Sequence, residues 1–134
     1  DRVHGVDGLE LAQALSARAV AASKRLPALI EVNVSGEATK HGVAPQDLEP
    51  LLAAVRDLPG LVVDGLMTLA RPVERAEDAR GDFARLRVLR DRCERSCGLA
   101  LPELSMGMSG DFEVAIEEGA TMVRIGSALF GPRG

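Results

Sequence analysis

Short apolar runs alternate along the chain with longer stretches in which apolar residues recur every three or four positions. The runs are rich in β-branched residues, carry few charges and lie just after a proline or a glycine, as strands buried in a parallel sheet do. They predict four strands, at 29–34, 61–67, 104–106 and 121–126.

Helical periodicity fills the segments between these strands, beginning with a helix near 9–16. The next helix follows Pro45 and has one apolar face: Leu48, Leu51, Leu52 and Val55. A longer helix from about 76 to 97 is predicted to bury these residues: Phe83, Leu86, Leu89 and Cys93. A short one at 110–118 ends at Gly119, which suits the left-handed backbone after a helix. Strict alternation predicts a βα repeat with parallel strands and right-handed crossovers.

The length of the chain limits the α/β folds that it can form. A complete (β/α)₈ TIM barrel takes roughly 250 residues, so the 134 residues present make about half a barrel or a small open α/β sheet. No linker or low-complexity segment interrupts the pattern, and residues 1–134 are interpreted as one unit.

Composition narrows the classes of function. A net charge of −4, arginines dispersed among acidic residues and the absence of Trp and Tyr argue against a nucleic-acid surface. No stretch approaches the roughly 20 apolar residues of a membrane helix. Cys93 and Cys97 make half a zinc site, so we interpret them as helix-face thiols in a reducing cytosol and predict no metal. His4 and His41 are expected in exposed loops.

A glycine-bearing loop links the predicted strand at 104–106 to the following helix. Ser109, Gly110 and Asp111 stand at the start of that helix, where free backbone N–H groups and the helix dipole favour an anion. The alternative is that Ser109 or Asp111 caps the helix, and the local pattern by itself favours the cap.

The last predicted strand ends in Gly126-Ser127, where a glycine lets the backbone approach a ligand closely. Barrel enzymes often bind phosphate with the loops after their last two strands. Arg124 is a charge flanked by Val123 and Ile125, so it is either paired or turned to a ligand. A salt bridge and a ligand contact are equally supported. Walker and dinucleotide motifs are absent, as is a defensible Ser/His/Asp arrangement, so no catalytic residue is assigned.

These two motifs, in this order and spacing, resemble those of the pyridoxal phosphate homeostasis proteins. They are Ser105-Met106-Gly107-Met108-Ser109 with Asp111, and Val123-Arg124-Ile125-Gly126 with Phe130-Gly131. Supporting matches are Val32-Asn33, residues 37–42, Gly65-Leu66-Met67 and the opening residues 3–7, which are similar to the family's fourth strand. The resemblance covers essentially the whole chain. It implies a partial (β/α)₈ TIM barrel like the N-terminal barrel of alanine racemases, with strands four to eight present.

The resemblance also implies which residues hold pyridoxal phosphate. Ser109 and the backbone of Gly126 and Ser127 would bind the phosphate, and Arg124 would face the pyridine nitrogen. An arginine there keeps the nitrogen unprotonated, which weakens the ring as an electron sink. We therefore expect a non-catalytic or weakly catalytic protein of vitamin B6 homeostasis.

The family's Schiff-base lysine lies on its first strand, which has no counterpart here. Lys24 and Lys40 are the only lysines. Lys24 falls at or after the end of a helix, and Lys40 matches a family lysine in the loop after strand five, so neither is assigned as the cofactor lysine. We expect that lysine in a segment upstream of residue 1.

Two other functions stay open at this level. A racemase-like pyridoxal-phosphate enzyme would need a second acid/base, typically a Tyr, and the chain has none. An unrelated barrel or open sheet would bind another phosphate ester. On the favoured interpretation the partner is a small-molecule cofactor, without nucleic acid or membrane, and the complete protein is a cytoplasmic monomer. Residues 1–134 alone would be prone to association, because unpaired strand edges invite pairing.

Overall fold

A computed structural model describes residues 2–35, 42–68, 75–108 and 110–124 of the chain. Strands and α-helices alternate through these residues, and a short 3₁₀ helix precedes α2 and α3, at Pro45–Asp47 and Ala76–Ala79. In chain order the elements are β1 (Val3–Val6), α1 (Leu9–Ala21), β2 (Leu26–Glu31), α2 (Leu48–Val55), β3 (Leu61–Met67), α3 (Arg80–Cys97), β4 (Glu103–Met108), α4 (Phe112–Glu117) and β5 (Met122–Arg124).

The five strands form one parallel sheet in the order β1-β2-β3-β4-β5. The spatial order equals the chain order, so every crossover steps to the next strand in the same direction. An open doubly wound sheet reverses this direction at a switch point, whereas a (β/α)₈ barrel keeps it. The chain therefore folds as a partial TIM barrel, and its five strands equal the number predicted for strands four to eight.

The helices cover one face of the sheet and form its main core. Consecutive helices contact one another along that face. The predicted inward residues are buried on α2 and on α3: Leu48, Leu51, Leu52, Val55, Phe83, Leu86, Leu89 and Cys93. Each helix therefore buries the apolar stripe that its periodicity predicted.

The opposite face of the sheet lines the interior of a complete barrel and carries polar as well as apolar side chains. Successive residues of a strand point to opposite faces, and Ile30 belongs to the helix-facing core, so Leu29 and Glu31 lie on the interior face. A Cβ built on Gly5 would lie 3.2 Å from Glu31 Oε1 and 4.0 Å from Met67 Sδ, which places all three together. Glu31 is a buried carboxylate on this face.

Two predictions about strands were incomplete. The apolar pattern missed β1, because it has only four residues and includes His4 and Gly5. His4 is exposed, as expected, but it lies in this strand and not in a loop. The second strand begins at Leu26 and ends at Glu31, earlier than predicted. Pro27 is tolerated because it lies at the start of the strand.

Candidate functional site

The carboxyl ends of β4 and β5 lie side by side and form the candidate site. Met108, the last residue of β4, is in register with Arg124, the last residue of β5. The carboxyl ends of the two strands therefore lie at the same end of the sheet. Ser109, Gly126 and Ser127 lie outside the described residues, as does the Arg124 side chain, so their predicted contacts stay predictions.

A closed turn connects β4 to α4 at this end of the sheet. The Met108 N–H donates to Asp111 Oδ1 at 2.6 Å, and the Asp111 N–H donates to the Met108 carbonyl at 3.1 Å. A hydrogen bond from the first carbonyl to the fourth N–H defines a β-turn. Gly110 therefore belongs to this turn.

The interpretation of Asp111 as a helix cap was wrong in one respect. Asp111 does occupy the position before the first residue of α4, but its side chain makes no capping hydrogen bond to the helix. Its carboxylate accepts from the preceding strand instead. The first turn of α4 is consequently not capped by this side chain.

The helix α4 packs directly against the end of β4. Gly107 has a φ of 102°, and a Cβ built on it would lie 2.6 Å from the Cβ of Ala115. That separation is far below van der Waals contact, so a glycine is required there both by its backbone conformation and by the close approach of the helix.

The far end of α4 is held by Arg80 from the start of α3. The Arg80 guanidinium donates to Glu117 at 2.5 Å, to Glu118 at 2.7 Å and to Glu77 at 2.5 and 2.9 Å. Arg87 reaches Glu118 at 3.5 Å. The hydrogen bond from Arg80 lowers the pKa of Glu118 and that of Glu77 below the usual value for glutamate. Because a six-residue helix is marginal by itself, these contacts help to fix α4.

The carboxyl ends of β2 and β3 form another part of this end of the sheet. The Thr68 hydroxyl donates to the Val32 carbonyl at 2.8 Å and is buried. The Asn33 N–H donates to the Val43 carbonyl at 2.9 Å, and the Val43 N–H donates to the Glu31 carbonyl at 2.8 Å. The described residues on either side of 36–41 are therefore joined at the strand end. Lys40 and His41 lie outside the described residues.

Lys24 lies at the wrong end of the sheet for a cofactor lysine. The helix α1 carries the chain from the carboxyl end of β1 back to the amino end of β2, and Lys24 stands two residues before Leu26. Its side chain is exposed. The expectation that Lys24 follows a helix is confirmed, and its position supports the decision not to assign it.

Several polar residues of this region were not singled out by their sequence pattern. Glu31 and Thr68 are buried at the ends of strands, and each could have been noticed as a polar residue inside or just after an apolar run. The bond from Met108 to Asp111 had no such signal. In the described segments no three His, Cys, Asp or Glu residues come together as a metal site. Nor does any helix in those segments have the length and apolar character needed to cross a membrane.

Comparison with known proteins agrees with the fold and the motifs. The family model described as "Alanine racemase, N-terminal domain" matches residues 1–134. The chain is 51% identical over 131 residues to the pyridoxal phosphate homeostasis protein of Aquifex aeolicus, covering 98% of this chain and 58% of that protein. It is 50% identical to the protein of that name from Pseudomonas aeruginosa, covering 98% and 55%.

A solved structure is also similar to this chain. The structure of PipY from Synechococcus elongatus with pyridoxal phosphate bound superposes with a TM-score of 0.88 at 32% identity, covering 98% of this chain and 61% of that one. The chain thus spans a little over half the length of the curated relatives it matches. The family predicted from the two motifs is confirmed: the chain belongs to the alanine racemase N-terminal domain family.

Proposed function

We propose that this chain is the C-terminal part of a single barrel domain that binds pyridoxal phosphate and serves vitamin B6 homeostasis in the cytoplasm. The observation that carries the proposal is 50–51% identity across nearly all of the chain to two pyridoxal phosphate homeostasis proteins. The PipY structure, which has pyridoxal phosphate bound, shares the fold over 98% of the chain.

The positions of the described strands support a phosphate site at the carboxyl ends of β4 and β5. The two strands end in register at Met108 and Arg124, so their following loops begin side by side. The Asp111 carboxylate accepts from the Met108 N–H and makes no capping hydrogen bond to α4. In the proposed site Ser109 and the backbone of Gly126 and Ser127 bind the phosphate, and Arg124 lies at the ring nitrogen.

The proposed role is cofactor binding, with little or no catalysis. When bound, pyridoxal phosphate supplies an electron sink, and an arginine at its ring nitrogen weakens that sink. A racemase also needs a second acid/base, commonly a tyrosine, and the chain contains no Tyr. The residues of this chain would therefore hold and orient the cofactor, while its covalent lysine lies upstream of residue 1.

The chain by itself is proposed to associate, although the complete protein would be a monomer. Within the described part of the sheet, β1 and β5 each pair on one side only. Val62, on the interior face, is 38% exposed. Unpaired strand edges and uncovered apolar surface favour contacts between chains, so size-exclusion chromatography of residues 1–134 is expected to show species larger than a monomer.

The proposed site is tested with protein expressed from the full coding sequence. We expect Ser109→Ala to weaken pyridoxal phosphate binding by about tenfold, because a hydrogen bond to a charged group contributes about 1.5–3 kcal/mol. Ser96→Ala is the matched control, since Ser96 is exposed near the end of α3, at the opposite end of the sheet. Equal affinities of the two variants would contradict the assignment of Ser109.

The lysine assignment is tested separately by borohydride reduction and peptide mapping. In the full-length protein we expect stoichiometric labelling of a lysine upstream of residue 1. Residues 1–134 alone are expected to bind weakly and to be labelled sparsely at scattered positions. Stoichiometric labelling of Lys24 or Lys40 in either protein would overturn the assignment.

A further inference from the structure

An apolar groove lies on the helix-covered side of the sheet, between α3 and the residues that lead from β2 to α2. Its volume is about 390 Å³, which is within the range of clefts that bind ligands. The apolar part of its lining consists of Val34, Pro45, Ala84, Val88 and Leu89. None of these residues belongs to β4 or β5, so a role for the groove does not depend on the proposed function.

The most exposed apolar residue of the groove is Val88, in the middle of α3. Its exposed fraction is 54%, although the same helix buries Leu86 and Leu89. An exposed apolar surface that is rimmed by charged residues marks a place where another molecule binds. The charged rim of this groove therefore bears on what it would bind.

Two arginines complete the lining, one on either side of Val88 along α3. Arg85 precedes Val88 by three positions and Arg92 follows it by four, so the three residues share one face of the helix. The two arginines are about 10 Å apart along the helix axis, at 1.5 Å per residue. Their side chains are 56% and 52% exposed. The groove thus has a positive charge near each end of its α3 side.

The carboxylates that pair with these arginines leave donors available at the surface. Arg85 donates to Asp82, whose side chain is only 1% exposed, so a partner would meet the guanidinium and not the carboxylate. Arg92 approaches Glu49 Oε1 with its Nε, at 3.4 Å, and within the described segments its terminal amino groups make no hydrogen bond. Because an arginine has five N–H donors, both can accept a further carboxylate.

A second copy of the chain does not suit this surface. A symmetric contact between two α3 helices would bring the same patch together from both copies. Antiparallel packing about Val88 would place Arg85 of each copy near Arg92 of the other, because they lie three and four positions from the centre. Like charges that face one another across an interface oppose binding. A nucleic acid is also disfavoured, since the surface between the arginines is apolar and the net charge is −4.

We propose that this groove docks an acidic amphipathic helix of a partner protein. Large aliphatic side chains of that helix would fill the space beside Val88 and Leu89, and two carboxylates would pair with Arg85 and Arg92. A partner helix repeats its side chains with the same period as α3, so carboxylates seven positions apart match the spacing of the two arginines. Apolar anchors at helical spacing are the usual contacts of a helix in a groove, and complementary charges select the partner.

The test uses protein expressed from the full coding sequence and three synthetic peptides. The acidic peptide is an alanine-based helix with two glutamates seven positions apart and two leucines between them on the same face. The basic peptide has lysines in place of the glutamates, and the third peptide keeps the glutamates but has alanines in place of the leucines. Dissociation constants are measured by fluorescence anisotropy of labelled peptide at low ionic strength, because salt screens surface charges.

With the unmodified protein we expect the acidic peptide to bind at least about tenfold more tightly than the basic peptide, because two attractive charge pairs are replaced by two repulsive ones. Replacing the two leucines by alanines should weaken binding at least about fivefold, since the apolar contact is lost. Val88→Gln should weaken binding of the acidic peptide about threefold for the same reason.

A charge reversal identifies the arginine contact. Arg92→Glu should bind the acidic peptide about tenfold more weakly than the unmodified protein, and the basic peptide more tightly. Arg18→Glu is the matched control, because Arg18 is an exposed arginine on α1 and the change in net charge is the same. It should alter either affinity by less than about twofold.

Three results would overturn the inference. The first is no binding of the acidic peptide, or equal binding of the acidic and basic peptides, by the unmodified protein. The second is an equal effect of Arg92→Glu and Arg18→Glu, which would show attraction by overall charge alone. The third is a fall of more than about 4 °C in the Tm of Val88→Gln, which would show that the protein's own residues fill the groove.

Discussion

Replacing Gly107 with alanine tests how tightly α4 packs against the end of β4. Gly107 has a φ of 102°, and a side chain in left-handed backbone costs about 1–2 kcal/mol. The added Cβ would lie 2.6 Å from the Cβ of Ala115, and overpacking of this kind costs about 1–3 kcal/mol. We expect Gly107→Ala to lower the free energy of unfolding by about 2–5 kcal/mol.

Two other glycines separate the contributions of conformation and contact. Gly98 has a φ of 66° but no atom within 4 Å of an added Cβ, so Gly98→Ala should cost only the conformational part, about 1–2 kcal/mol. Gly110 has neither a positive φ nor a close contact, and Gly110→Ala should change stability by less than about 0.5 kcal/mol.

The assay is urea unfolding of the full-length protein and its variants, monitored by far-ultraviolet circular dichroism. Fluorescence is not used because residues 1–134 contain no Trp or Tyr. The free energies are comparable only if the dependence on urea concentration is the same for each variant. A cost for Gly107→Ala no greater than that for Gly98→Ala would refute the close packing of Gly107 on Ala115.

Two further predictions concern titratable groups. Burial raises the pKa of the Cys93 thiol to about 11, whereas Cys97 is only half-buried. Iodoacetamide at pH 8 should therefore label Cys97 first and Cys93 only after unfolding. Equal labelling rates for the two cysteines, measured by peptide mass spectrometry, would contradict this prediction. Arg80→Gln should destabilise the protein at neutral pH, and the difference in stability from the unmodified protein should shrink as pH falls below 4.5. The reason is that the folded-state pKa of Glu118 is lowered from that value, so its stabilising contribution is lost when it is protonated. A difference in denaturation midpoint that is the same at pH 7 and at pH 3 would argue against that coupling.

The local pattern of the sequence was sufficient for most of the secondary structure. Helical periodicity identified the buried faces of α2 and α3, and the run at 61–67 predicted β3 with its observed bounds. These elements are amphipathic or continuously apolar over their whole length, so the burial of each side chain follows from its spacing along one segment. The C-terminal motifs, taken with their spacing, also predicted the family that the comparisons confirmed.

Other features depended on contacts between segments distant in the chain. The strand β1 exists through its pairing with β2, since its four residues carry little strand signal of their own. Arg80 meets Glu117 and Glu118 across 37 and 38 positions of sequence. No local pattern indicates which carboxylates an arginine reaches at that separation.

The clearest case is the candidate site itself. By itself the sequence determined that a loop with an anion-binding composition follows β4, and it favoured Ser109 or Asp111 as a cap. Tertiary structure decided that the Asp111 carboxylate reaches back to Met108 and that the ends of β4 and β5 lie in register. The physical reason is that a carboxylate bonds to whichever donor the packing of β4 against α4 brings within 3 Å, and that packing is set by Gly107 and Ala115 together.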